Sequence, residues 1–188
     1  MQKIILASRS PRRKQLLEWA EIPFEVIVKE TNESFPPGIP AEKVAVHIAL
    51  HKALAVKNLG NADIPILAAD TIVVFGDEII GKPKDREDAI EILTRLSGQR
   101  HQVITGVVIL FKEREISFAD ITQVDFHTLT KTQIEWYVDK YKPYDKAGAY
   151  AIQEWIGVVG IRSVQGDFYN VMGLPVSRVV RELQELLE

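Results

Sequence analysis

A carboxylate set in an apolar segment is the first residue that could do chemistry. Asp70 interrupts Ile64–Phe75 (IPILAADTIVVF), a β-branched run that is typical of a buried strand. An acid in such a strand is costly unless it is paired or functional. Since acids in these settings concentrate at functional sites, we favour a chemical role for Asp70. The structural alternative is an aspartate at the end of the strand that caps a turn or pairs with a lysine.

A run of serines and arginines is the second candidate. Ser8–Arg13 (SRSPRR) lies between a predicted strand and the predicted start of a helix. A helix N-terminus offers free N–H groups and a partial positive charge, and hydroxyl and guanidinium groups add to it, so the run suits an anion such as phosphate. The residues alone leave open that Ser10 only caps the helix while the arginines face solvent. The run lacks the glycines of a Walker A loop, and the chain has no GxGxxG.

Two further segments are weaker candidates. Gly81–Lys84 (GKPK) follows a predicted hairpin, which could return Lys82 toward the end of the Asp70 strand. Glu33, in a Pro-rich loop, could be a second carboxylate beside Asp70. Two carboxylates and a triphosphate would supply the oxygen ligands that Mg²⁺ takes. Solvated loop residues are the alternative interpretation of both segments.

The elements that must position these residues alternate between helices and strands. Strands are predicted at 3–7, 24–28, 64–75, 78–80, 103–111 and 116–126, the last two joined by a turn at 112–115. Helices are predicted from 11 to about 20, 42–57, 86 to about 97, 131 to about 140, and about 175–187, with Ser10, Asp85 and Thr130 as N-caps. Residues 29–40 are predicted as a loop and 142–173 as irregular. At least two hairpins interrupt the βαβ pattern, so the predicted fold class is α/β with a mixed twisted sheet and flanking helices.

Composition and charge bound the class of protein. The length of 188 residues and an apolar content of 46% suit one globular domain over residues 1–188. The net charge of −3 argues against a general nucleic-acid binder, which needs a basic surface. The absence of cysteine excludes disulfides, thiolate zinc sites and a cysteine nucleophile.

Other chemistries and locations also lose support. His47 and His51 stand four residues apart, but Ile48 occupies the position where the HExxH zinc motif needs glutamate, so we expect ordinary packing histidines. We find neither a signal peptide nor an apolar stretch of the ~20 residues that a membrane span needs, and we therefore expect a cytoplasmic protein without membrane contact.

Several groups of residues, taken in order, resemble the Maf family of septum-formation-inhibitor-like nucleotide pyrophosphatases. They are Ser8–Arg13, Ala69–Thr71, Gly81–Pro83, Ser97–Gly98, Thr105–Val107, Asp145–Tyr150, Asn170–Val171 and Gly173–Pro175. The resemblance spans nearly the whole chain, and this many motifs at matching spacing are far more specific than any one of them. Two segments depart from the family pattern, Lys142-Pro143 and Gly166–Tyr169, and both lie in the region expected to recognise the base.

The resemblance implies a fold and an activity. The fold would be mixed α/β and ITPase-like (Maf/Ham1-type), with a cleft between two lobes. The activity would be hydrolysis of dTTP and UTP, or of modified pyrimidine triphosphates, to the monophosphate and pyrophosphate. It would serve a house-cleaning or cell-division-linked role and use a divalent metal, Mg²⁺ or Mn²⁺. A homodimer is common among such relatives.

The resemblance also assigns roles to residues. Asp70 would be catalytic and would share the metal with Glu33, and the triphosphate would be bound by Ser8, Arg13, Lys52 and Lys82. Arg12, Thr71 and Gln153 would select the base, in the combination of the dTTP/UTP branch rather than the 7-methyl-GTP branch. A glutamine amide has a donor and an acceptor, so it could pair with both N3–H and O4 of uracil or thymine.

Two other functions stay open at this point. The first is a phosphatase that forms an aspartyl-phosphate on Asp70, although such enzymes use a D-x-D pair and Ile72 occupies the second position. The second is a non-catalytic nucleotide-binding regulator of septum formation. A pure binder has no need of a carboxylate beside phosphates, because like charges repel.

Overall fold

The secondary structure follows the predicted alternation closely along most of the chain. A computed structural model describes residues 2–60 and 63–187. Its strands are β1 Ile4–Leu6, β2 Phe24–Val26, β3 Ile66–Phe75, β4 Glu78–Ile80, β5 Arg100–Phe111, β6 Arg114–Phe126 and β7 Ile161–Gln165. Its helices are α1 Pro11–Trp19, α2 Ala41–Lys57, α3 Arg86–Leu96, α4 Lys131–Tyr141, α5 Trp155–Gly160, α6 Phe168–Met172 and α7 Val176–Leu187, with a 3₁₀ turn at Ala147–Ala149.

The strands form a mixed sheet, which confirms the predicted fold class. Their order is β2-β1-β3-β5-β6-β7, and β4 pairs with β3. Strand β1 is parallel to β2 and to β3, with Ile5 opposite Glu25 and Ile66. The β3–β4 hairpin is antiparallel, as predicted, and so is the β6–β7 pair.

Local capping explains why three of the helices begin where they do. The Ser10 hydroxyl accepts a hydrogen bond from the Arg13 N–H at 3.4 Å, and Pro11 is the first helical residue. Asp85 accepts from the Asp88 N–H at 2.9 Å and starts α3. Thr130 and the residue three positions later form a reciprocal capping box at the start of α4. All three starts were predicted correctly.

Two parts of the prediction are wrong. The turn between β5 and β6 contains only Lys112 and Glu113, with Lys112 at φ 54°, and Arg114 already belongs to β6. A run of exposed charged residues at the tips of two strands resembles a longer polar turn. Residues 142–173 are irregular only in their first half, since α5, β7 and α6 occupy 155–165 and 168–172. These elements are only five or six residues long, so their apolar pattern is too short to identify.

The chain divides into two compact units. The first contains the described residues within 1–71, 105–120 and 173–188. Its core packs α2 against the sheet through small and branched side chains, namely Ala49 and Ala53 of α2, Ile5 of β1, Ala68 of β3 and Val108 of β5. The single domain over 1–188 and the cleft between two lobes stay predictions.

The second unit contains residues 72–104 and 121–172. Within it, the buried Asn170 donates from Nδ2 to the Val103 carbonyl at 3.1 Å and to the Thr122 hydroxyl at 2.9 Å. These bonds hold the short helix α6 against β5 and β6. None of the helices in the described ranges is long and apolar enough to cross a membrane.

Candidate active site

Three charged side chains meet beside strand β3. The Lys52 ammonium lies 2.6 Å from Asp70 Oδ1 and 2.7 Å from Glu33 Oε1. The Asp70 and Lys52 side chains are only 15% and 18% exposed, whereas Glu33 is 52% exposed. We call these three residues the Asp70 cluster. Two carboxylates contact one ammonium, and Asp70 is the shielded carboxylate of the two.

A glycine on β5 lets α2, the helix that carries Lys52, pack close to the sheet. A Cβ at Gly106 would lie 2.3 Å from the carbonyl carbon of Ala45, so backbone approaches backbone where α2 crosses β5. The buried face of α2 is built from small residues such as Ala45 and Ala49, which allows the same close contact. Lys52 lies seven residues, about two turns, after Ala45 on the same helix and is half-buried. The helix therefore packs close enough for its lysine to reach Asp70.

A buried arginine organises a second group of side chains. The Arg13 guanidinium donates from Nε to the Gly173 carbonyl at 2.8 Å, from Nη1 to the Ser8 hydroxyl at 3.0 Å, and from Nη2 to the Thr71 hydroxyl at 3.0 Å. The Thr71 hydroxyl also lies 2.9 Å from the Thr105 hydroxyl. We call these five residues the Arg13 cluster. It ties together the turn after β1, two central strands and the turn before α7.

The two clusters are electrostatically linked. Burial lowers the pKa of Arg13 to about 10, while the Asp70 charge opposes that shift and the Arg12 charge adds to it. Arg13 therefore stays cationic at neutral pH. Successive residues of a strand point to opposite faces, and accordingly Asp70 reaches Lys52 on α2 whereas Thr71 reaches Arg13 on α1. Adjacent residues of β3 thus contact Lys52 and Arg13, and the Asp70 charge lies close enough to Arg13 to act on the pKa of the guanidinium.

Comparison with known proteins places the chain in a family. The sequence pattern described as "Maf-like protein" matches residues 3–186. The chain belongs to the Maf-like family. This Maf-like chain is 50% identical over 186 residues to a dTTP/UTP pyrophosphatase of Cytophaga hutchinsonii, covering 97% of the chain and 84% of that protein. It is 47% identical over 183 residues to a dTTP/UTP pyrophosphatase of Parabacteroides distasonis, covering 97% and 95%.

A solved structure supports the predicted fold type. The Ham1 protein of Staphylococcus aureus superposes on the Maf-like chain with a TM-score of 0.51 and 17% identity, covering 96% of this chain and all of that one (100%). At this identity the likeness concerns the fold alone. It confirms the ITPase-like (Ham1-type) architecture that the sequence predicted.

The structure brings together most of the predicted site residues of this Maf-like protein. Ser8, Arg13 and Thr71 meet in one cluster, and Lys52, Glu33 and Asp70 meet in the other; all six belong to the first unit. Arg12 is half-buried next to Arg13 on α1. Sequence reasoning gave no role to the Thr105 hydroxyl or the Gly173 carbonyl. Both lie in motifs that carry the family resemblance, which was the available signal.

Two predicted residues of the Maf-like chain belong to the second unit. Lys82 is exposed two residues after β4, and Gln153 is exposed in the turn before α5. The predicted hairpin that precedes Lys82 is confirmed, with Ile80 opposite Val73. The roles of Lys82 in phosphate binding and of Gln153 in base selection stay predictions.

The donor set suits a hard divalent cation in company with a substrate. Among residues 2–60 and 63–187, no three or more histidines, aspartates or glutamates converge as a ready-made metal site. The two carboxylates of the Asp70 cluster, however, converge on one cation, Lys52. Mg²⁺ at phosphate sites usually takes one or two carboxylates together with phosphate oxygens and waters. Asp70 and Glu33 therefore fit Mg²⁺ or Mn²⁺.

Proposed function

We propose that this chain hydrolyses dTTP and UTP to the monophosphate and pyrophosphate. The observation that carries the proposal is near-full-length identity of 50% and 47% to relatives named dTTP/UTP pyrophosphatase. The geometry supports it, since a shielded carboxylate lies near a buried arginine and a lysine. A triphosphate needs such cations, and its hydrolysis needs a group that can accept a proton from water.

The proposed reaction is an in-line attack of water on the α-phosphorus. Asp70 orients the water and takes its proton as the oxygen–phosphorus bond forms. The bond from the α-phosphorus to the bridging oxygen breaks, and pyrophosphate leaves with the electron pair. Lys52 holds the Asp70 carboxylate at 2.6 Å, which fixes the direction of that base before substrate arrives.

Cations of the chain would neutralise the phosphate oxygens. Arg13 uses one N–H of each nitrogen on protein oxygens, so each terminal nitrogen keeps a second N–H for phosphate. Ser8, Lys52 and Lys82 complete the proposed phosphate-binding set. Asp70 and Glu33 would hold Mg²⁺ or Mn²⁺, which supplies further charge neutralisation when bound.

Base selection is assigned to Arg12, Thr71 and Gln153 by family resemblance. Among them, Gln153 has the right chemistry to read N3–H and O4 together. The Thr71 hydroxyl already bonds Arg13 and Thr105, so we propose that Thr71 acts by orienting Arg13. Modified pyrimidine triphosphates, a house-cleaning role, a homodimer and a cytoplasmic location without nucleic-acid or membrane partners complete the proposal.

The test is a panel of nucleoside triphosphates with separate detection of pyrophosphate and orthophosphate, run with Mg²⁺ and with Mn²⁺. Pyrophosphate from dTTP and UTP is the expected result. Orthophosphate would favour the aspartyl-phosphate phosphatase, although Ile72, in the second D-x-D position, is only 7% exposed and belongs to the core. Tight binding without turnover would favour the non-catalytic regulator.

A further inference from the structure

Gln153 lies in a turn of the second unit whose first and last residues are held by hydrogen bonds. The Glu154 N–H donates to the Ala151 carbonyl at 3.1 Å, which closes a four-residue turn with Gln153 in its third position. The side chain of Gln153 is exposed, while Ala151 and Ile152 are buried. The turn thus anchors its first half in the unit and presents the amide to solvent.

The Tyr137 hydroxyl forms hydrogen bonds with both ends of this turn. Tyr137 of α4 is fully buried, at 0% exposure. Its oxygen accepts a hydrogen bond from the Ala151 N–H at 3.2 Å and donates one to Glu154 Oε2. The bonded residues are the first and last of the turn. A single side chain from another element therefore fixes both the entry and the exit of the segment that carries Gln153.

Neighbouring groups hold the same arrangement. Lys146, itself only 9% exposed, places its ammonium 3.6 Å from Glu154 Oε1, and this ion pair helps to orient the carboxylate. Burial and the Glu154 charge both raise the pKa of Tyr137 far above its ordinary value, so the hydroxyl remains a donor across the working pH range. A Cβ at Gly157 would lie 1.6 Å from the Ile152 carbonyl oxygen, so α5 packs directly on the turn.

We infer that Tyr137, together with Glu154, is a positioning residue for Gln153 and thereby helps to set pyrimidine recognition. The inference rests on the proposed function, in which Gln153 reads the base. The backbone that carries an amide able to pair with two atoms of a planar base must be held at a defined place, because a segment that is ordered only on binding loses affinity. The hydrogen bonds of Tyr137 order the turn during folding, so this entropy is not lost on binding.

The test compares Tyr137→Phe with Gln153→Ala and with the double variant. Kinetic constants are measured for dTTP, UTP and CTP, and thermal unfolding reports whether each variant folds. We expect Tyr137→Phe to raise KM for dTTP and UTP about 3- to 10-fold with kcat nearly unchanged. The selectivity over CTP falls in parallel. In the double variant, the loss of selectivity is no larger than in Gln153→Ala, because Tyr137 acts through Gln153.

Matched controls separate positioning from general damage to α4. Tyr141→Phe removes a hydroxyl one turn further along α4 from a ring that stacks on Tyr137 at 4.9 Å, and it should leave the kinetic constants unchanged. Glu154→Gln keeps an oxygen that can accept from Tyr137 but loses the ion pair with Lys146, so its effect on KM should be smaller than that of Glu154→Ala. Glu154→Ala removes that acceptor and should reproduce Tyr137→Phe, which also covers the case in which Tyr137→Phe does not fold.

The outcomes distinguish the inference from its premise. Folded Tyr137→Phe and Glu154→Ala variants with wild-type KM and selectivity, beside an impaired Gln153→Ala, would overturn the positioning role alone. A Gln153→Ala variant with unchanged KM and selectivity would overturn the base-reading role of Gln153, and the inference with it. Hydrolysis of dTTP by the wild-type chain is scored independently of both.

Discussion

Asp70→Asn removes a charge from the Asp70 cluster while keeping the size and shape of the side chain. The amide oxygen can still accept from Lys52, and Lys52 keeps its contact with Glu33 at 2.7 Å. Asn has no basic group for the proton of an attacking water. The variant therefore isolates the chemistry of the carboxylate from its structural contact.

The expected loss of activity is much larger than the expected loss of stability. General-base catalysis contributes about 10²–10⁴-fold, so kcat should fall by that factor, which corresponds to about 3–5 kcal/mol in the activation free energy. Breaking a fully buried ion pair costs about 3–5 kcal/mol, but here Lys52 retains one carboxylate and one hydrogen bond. We therefore expect a change of about 1–2 kcal/mol in the free energy of unfolding, which leaves the protein folded.

The assay is pyrophosphate release from dTTP at saturating substrate, with nucleotide binding measured separately. Asp139→Asn is the matched control, since Asp139 forms an exposed ion pair with Arg86 at 2.6 Å, and it should retain full turnover. A folded Asp70→Asn variant that turns over dTTP at a rate close to wild type would show that Asp70 is not the base.

Three further predictions concern other parts of the molecule. Thr71→Val removes the hydroxyl that accepts from Arg13, and we expect kcat/KM for dTTP to fall about tenfold; an unchanged value would mean that Arg13 needs no such support. Gly106→Ala forces a Cβ to 2.3 Å from the Ala45 backbone. The free energy of unfolding, measured by urea titration, should therefore fall by about 3 kcal/mol or more. An unchanged urea midpoint would contradict the close packing of α2 on β5. Burial lowers the pKa of His101 from 6.5 to about 4. As the pH falls, the unfolded chain therefore binds a proton before the folded chain does. The free energy of unfolding consequently falls by roughly 3 kcal/mol as the pH decreases from about 7 to about 4. His101→Gln should flatten the dependence of unfolding free energy on pH between about pH 7 and pH 4, and an equally steep dependence would exclude His101 as its source.

Features that depend on neighbouring residues were open to prediction from the amino-acid order. The helix starts at Ser10, Asp85 and Thr130 follow from side chains that bond the backbone three residues later. The apolar run around Asp70 predicted a buried strand, because its β-branched residues fit a pleated, buried surface. The motifs, taken in order, then identified the family that the comparisons confirm.

Other features depend on contacts between distant parts of the chain, which no local pattern encodes. Arg13 donates to the carbonyl of Gly173, 160 residues away, and the elements within 142–173 are too short for a local pattern to identify them. The pairing of Asp70 with Lys52 depends on how closely α2 can approach the sheet at Gly106. The sequence thus allowed side-chain types to be assigned to a reaction. Tertiary packing decided which charged groups form ion pairs, because a hydrogen bond or ion pair requires a separation of a few ångströms that only the folded core supplies.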